Sequence, residues 1–94
     1  MSISEIFNQS GEHEENALKM HAILLALSKI SRYEAECAHF EAKYNESLSS
    51  FRKRVQAVTD QEDFEADDDL MDWEFASRAC QWWKSKLDAI GHVD

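Results

Sequence analysis

ENALKMHAILLALSKISRYEAECAHFEAKY, residues 15–44, is the stretch that decides the fold. Met20, Ile23, Leu27, Ile30, Tyr33, Cys37, Phe40 and Tyr44 recur within it at spacings of 3, 4, 3, 3, 4, 3 and 4. Residues three and four apart share one face of an α-helix, so this spacing predicts a long helix with an apolar seam packed on another helix. Alanines at 17, 22, 26, 35, 38 and 42 favour the helix because they lose no side-chain entropy in it. At about 1.5 Å rise per residue the element is roughly 45 Å long. Arg32 and Glu36 lie four apart, as do His39 and Lys43, which marks a solvated outer surface.

After this seam the pattern breaks. Asn45 tolerates the left-handed conformation that ends helices, and Ser47 suits the cap of a new one. Leu48, Phe51, Val55 and Val58 then trace a shorter stripe, so a second helix is expected over about 47–59. A third is expected over about 68–90, stopped at Gly91. One of its stripes is Leu70, Trp73, Ala76, Cys80, Trp83, Leu87 and Ile90. Met71, Phe75, Ala79 and Trp82 form another, displaced by about a third of a turn. The apolar sector then spans roughly half the circumference, more than one neighbouring helix covers. On the N-terminal side, residues 1–14 keep no sustained period, and Gly11 interrupts the short apolar group Ile3, Ile6 and Phe7. That segment is expected to be a flexible arm.

Charge separates the regions further. The 94 residues hold 19 acids and 10 bases, a net charge of −9. Nine acids fall between Asp60 and Glu74 with no base among them, so the rest of the chain is neutral. Residues 60–67 read as an acidic connector, and Asp67, Asp68 and Asp69 as the cap and first turn of the third helix, where negative charge meets the positive end of the helix dipole. Such a charge balance disfavours a nucleic-acid partner. Arg52, Lys53 and Arg54 do not offset nine nearby acids, and read better as a solvated face or as internal partners of the acidic run.

The longest apolar run, Ala22 to Leu27, is six residues, far short of the roughly 20 that span a membrane. The first 16 residues carry four acids and no lysine or arginine, unlike a targeting segment. A cytoplasmic location is expected. There Cys37 and Cys80 are expected to be free thiols packed on apolar faces, with no role in catalysis.

No catalytic motif is legible. Glu36 and His39 have the Glu-x-x-His spacing of di-iron bundles, but those need a second copy of the motif, and none exists. Asp67, Asp68, Asp69 and Asp72 lack the alternation, central glycine and closing glutamate of a helix-loop-helix calcium site. An all-helical, magnesium-dependent nucleotide pyrophosphatase is an alternative, with Glu14-Glu15 and Asp69-Leu70-Met71-Asp72 as the nearest counterparts of its carboxylate pairs. No phosphate-binding set of lysines or arginines accompanies them. The expectation is therefore no enzyme, no metal and no cofactor.

Two stretches carry a resemblance. FEAKYNESLSSF at residues 40–51 and DDLMDWE at 68–74 resemble segments that follow one another in a group of short acidic all-helical prokaryotic proteins. Asn45 stands where that group usually has glycine. Members of the group resemble the antitoxin halves of toxin–antitoxin modules. The resemblance implies a protein that binds and neutralises a basic partner, commonly a ribonuclease-like toxin.

The expected architecture is all-α, with one helical domain over residues 15–91. A long first helix packs antiparallel on the third, a short second helix crosses between them, and the chain dimerises. The expected function is an acidic, antitoxin-like inhibitor of a basic protein. Met71, Phe75, Arg78 and Trp82, with Asp67, Asp68 and Asp69, are the expected contact residues, since aromatic, methionine and arginine side chains dominate interface centres. A homodimeric scaffold without a toxin partner is the alternative in which the same face pairs with itself.

Overall fold

The structure, a computed structural model, describes residues 14–58 and 63–91. The expected N-terminal arm lies outside the described residues, apart from Glu14. Among the described residues three helices follow one another: α1 (Glu14–Tyr44), α2 (Leu48–Ala57) and α3 (Phe64–Gly91). Among the described residues there is no strand. No helix there is long and apolar enough to cross a membrane.

The sharp α1–α2 turn uses the residues its chemistry demands. Asn45 takes a positive φ of 52°, and its N–H bonds to the Glu41 carbonyl at 2.7 Å. Ser47 caps α2 in extended conformation, its hydroxyl oxygen accepting from the Ser50 N–H at 3.1 Å. Asn45→Ala forces a β-carbon that lacks the Asn side chain's local hydrogen bonding into the left-handed region, and is expected to cost about 1 kcal/mol. Asn45→Gly should be neutral or stabilising. Urea midpoints of the two variants check this, and equal midpoints would contradict it.

The core lies at the turn end of the hairpin. Phe51 of α2 and Trp73 of α3 are the largest fully buried side chains, at 0% and 1% exposure. Phe40, Ala66 and Leu70 complete their cluster, with Cys37, Tyr44, Leu48 and Val55 packed on it. Phe40 stacks on Trp73 with centroids 5.8 Å apart, and Tyr44 stacks on Phe51 at 4.2 Å. Phe51 thus wedges between the last turn of α1 and the second heptad of α3. Offset aromatic pairs of this kind contribute about 0.5–1.5 kcal/mol beyond their burial.

α1 and α3 run antiparallel, as expected. Tyr44 meets Asp69, Phe40 meets Trp73, and Glu34 pairs with Lys84 at 3.1 Å. Counting outward in the register that the first two pairs share sets Gly91 beside Ala22. The N-terminal turns of α1 therefore project past the described end of α3.

Three expectations need correction. The seam of α1 does not stay in the interface along its whole length: Met20 is 55% and Leu27 48% exposed, while Ala26 is fully buried. A straight helix drifts about 20° per heptad against a strict seven-residue repeat, and α3 ends before Met20. The third helix starts at Phe64 rather than near Asp68, so the connector is shorter than residues 60–67. Asp63, not the triplet 67–69, provides the cap: its carboxylate accepts from the Ala66 N–H at 3.1 Å, and its carbonyl from the Asp67 N–H at 3.0 Å. The buried positions explain the earlier start, because Ala66 extends the Leu70–Trp73 stripe back by one turn. The second helix is likewise shorter, ending at Ala57 with Val58 as its cap and 51% exposed.

A candidate protein-binding face on α3

The acidic run divides into carboxylates that the fold uses and carboxylates that it leaves free. Glu65 and Asp69 converge on Lys43 Nζ of α1, at 2.7 and 2.6 Å. Asp69 also accepts a hydrogen bond from the Tyr44 hydroxyl. Burial alone would raise the Asp69 carboxyl, but the hydrogen bonds from Lys43 and Tyr44 outweigh it and hold the group below the usual carboxylate range. The Tyr44 hydroxyl is pushed up to about 12, first by burial and then by its bond to Asp69. Lys43 is raised as well, by its hydrogen bonds to Asp69 and Glu65. Glu74 lies 3.6 Å from Arg52 and 3.5 Å from Arg78. Part of the basic cluster is thus an internal partner of the acidic run. Arg54 turns the other way, pairing with Glu46 at 2.6 Å and lying over the Phe51 and Tyr44 rings.

Asp67, Asp68 and Asp72 are exposed, and among the described residues no lysine or arginine pairs with them. In helical geometry Asp67 and Asp68 sit one turn before Met71, and Asp72 one turn before Phe75. Met71, Phe75 and Trp82 are 69%, 56% and 53% exposed. α2 leaves them open because it occupies the Trp73–Glu74 side of α3 instead. The Phe75 ring meets Tyr33 edge-on, centroids 5.9 Å apart. Arg78 stands between Phe75 and Trp82, leaning on Glu74, and Lys86 lies 5.2 Å from the centroid of the Trp82 ring. The 4, 3, 4 spacing of Met71, Phe75, Arg78 and Trp82 makes one continuous stripe, directed about 160° away from Trp73 at 100° per residue.

Of the seven residues expected to contact a partner, six therefore lie on or beside this stripe. Asp69 lies apart from them, bound between Lys43 and Tyr44 and only 15% exposed at its side chain. The sequence could not separate Asp69 from its neighbours, since all three aspartates precede the same helix face and only the position of Lys43 distinguishes them.

The other clusters stay dispersed. Glu14 and Glu15 begin α1, whereas Asp69 and Asp72 lie near the start of α3 at the opposite end of the hairpin. The carboxylates a pyrophosphatase would need on one magnesium ion are thus not brought together. Glu36 and His39 line a shallow cleft with Asp72 and Phe75. No group of three or more His, Cys, Asp or Glu among the described residues is placed to hold a metal. Cys37 and Cys80 are both free and line one cleft between α1 and α3. Burial, then the neighbouring Cys80 and glutamates, push the Cys37 thiol up and keep it protonated.

Comparison of the chain with known protein families, with curated proteins and with solved structures finds no match.

Proposed function

We propose that this chain is an acidic helical protein-binding module, an antitoxin-like inhibitor that engages a basic partner protein through the Met71–Trp82 stripe of α3. One observation carries the reading: Met71, Phe75 and Trp82 lie along one exposed stripe, and the carboxylates flanking the first two pair with no lysine or arginine among the described residues. Contiguous exposed apolar surface of a few hundred Å² marks interaction sites on small proteins. Flanking charge of one sign selects partners of the other sign and speeds their encounter. The partner that fits presents an apolar ridge beside lysines or arginines.

The test is capture of the partner from the protein's own cells by tagged wild-type chain, compared with Trp82→Ala and with an Asp67→Asn/Asp68→Asn double variant. Trp82→Ala is expected to weaken binding about tenfold or more, as truncation of a central aromatic anchor does. The double variant should bind more slowly and lose most of the salt dependence. A companion held equally well by all three proteins, or insensitive to salt, would overturn the reading.

A further inference from the structure

We propose that the free N-terminal end of α1 is a self-association surface, where two copies pair antiparallel along Ala17, Met20, Leu24 and Leu27, separately from the α3 stripe. The register of the hairpin leaves the turns before Ala22 without cover from the described part of α3. The six consecutive apolar residues Ala22–Leu27 follow directly and wrap the whole helix circumference. A helix that is apolar all round is a buried helix, yet Leu18, Met20, Leu24, Leu25 and Leu27 are 42–68% exposed. Ala17, Met20, Leu24 and Leu27 are spaced 3, 4 and 3, the repeat of a coiled-coil seam. At 100° per residue this seam points well away from the Ile23–Ile30–Cys37 edge that faces α3.

Charge chooses the occupant. From Ala17 to Ser28 the one Asp, Glu, Lys or Arg is Lys19, so this end neither repels a like surface nor attracts an oppositely charged one. On the α3 stripe, by contrast, a parallel pair would set Asp67, Asp68 and Asp72 against their own copies. Antiparallel pairing also sends the two acidic ends in opposite directions. Tyr44, which binds Asp69, is 20 residues along α1 from Leu24, about 30 Å at 1.5 Å per residue. That is several times the ~8 Å over which charges interact at physiological salt. In this arrangement Ala17 lies opposite Leu27 and Met20 opposite Leu24, pairing small with large at the ends. The proposal does not depend on the identity of the α3 partner, and it leaves the α3 stripe open while the dimer is formed.

Sedimentation equilibrium of the full chain is the test. The wild type should show twice the chain mass of 10.9 kDa, Leu24→Asp should show the single mass, and Trp82→Ala should remain double. Near-ultraviolet circular dichroism from the buried Trp73 checks that the core survives. Met20→Asp, one turn away, serves in place of any Leu24→Asp protein that loses that signal. Mixed Met20→Cys and Leu24→Cys chains should cross-link to each other more readily than either does to itself. A monomeric wild type, whether because another segment of the chain covers the seam or because nothing does, overturns the proposal. So does a Leu24→Asp dimer, or dissociation by Trp82→Ala, which would place self-association on α3. Loss of partner capture by Trp82→Ala bears only on the α3 reading.

Discussion

Trp73→Ala is expected to lower stability by about 3–5 kcal/mol, a large share of the roughly 5–15 kcal/mol that holds a small domain together. Trp73 is 1% exposed and stacks on Phe40 of α1, with its centroid 5.5 Å from that of Phe51 on α2. Phe51 in turn stacks on Tyr44 of α1, so the rings of all three helices meet around Trp73. Removal of Trp73 deletes the largest buried area and leaves a cavity that three helices meeting at one ring cannot close without shifting together. Urea unfolding followed by far-ultraviolet circular dichroism should show the midpoint collapse. Because α2 is only ten residues long and isolated helices of that length are marginal in water, it should melt first. A loss under about 1 kcal/mol would mean that the hairpin is held elsewhere, along the α1–α3 seam.

Asp69→Ala is expected to cost about 1–3 kcal/mol at neutral pH, the range for hydrogen bonds to a charged group in a partly buried site. The substitution leaves Lys43 with Glu65 alone, and strips the Tyr44 hydroxyl of its acceptor. The pH profile gives the sharper readout. Asp69 has its carboxyl depressed in the folded chain. Its contribution is therefore complete above the unfolded value near 4, and is lost as pH falls through the lower folded value. Tyr44 and Lys43 are raised. Their contribution is complete below about pH 10 and is lost as pH climbs toward the Tyr44 value of about 12. Wild type should thus lose stability at both extremes, and Asp69→Ala should be flatter at each. Parallel profiles for the two proteins would show that the cluster is not coupled to folding.

These two expectations rest on features that differ in how far the sequence reveals them. Trp73 and Phe51 were legible as anchors, because each is a large aromatic on a helical stripe that recurs at spacings of three and four. The Asn45 turn and the Ser47 cap were legible for a local reason: backbone conformation at a helix end depends on the residue there and on its immediate neighbours. The cap at Asp63 was not, since any aspartate in an unbroken acidic run serves the dipole equally well. Its place was set by Ala66 and Leu70 reaching the core.

The sequence by itself determined the type of the described elements, the face that α3 and the C-terminal half of α1 bury, and the restriction of net charge to one segment. Periodicity is a statement about angle around a helix axis, and composition is a statement about content. Neither carries the axial offset between two helices. Only the tertiary structure decided that offset, by seating Phe51 between Tyr44 and Trp73 and so fixing how far α1 slides along α3. From the slide follow the assignment of Glu65 and Asp69 to Lys43, the freedom of Asp67, Asp68 and Asp72 beside Met71 and Phe75, and the apolar end of α1 that α3 does not reach.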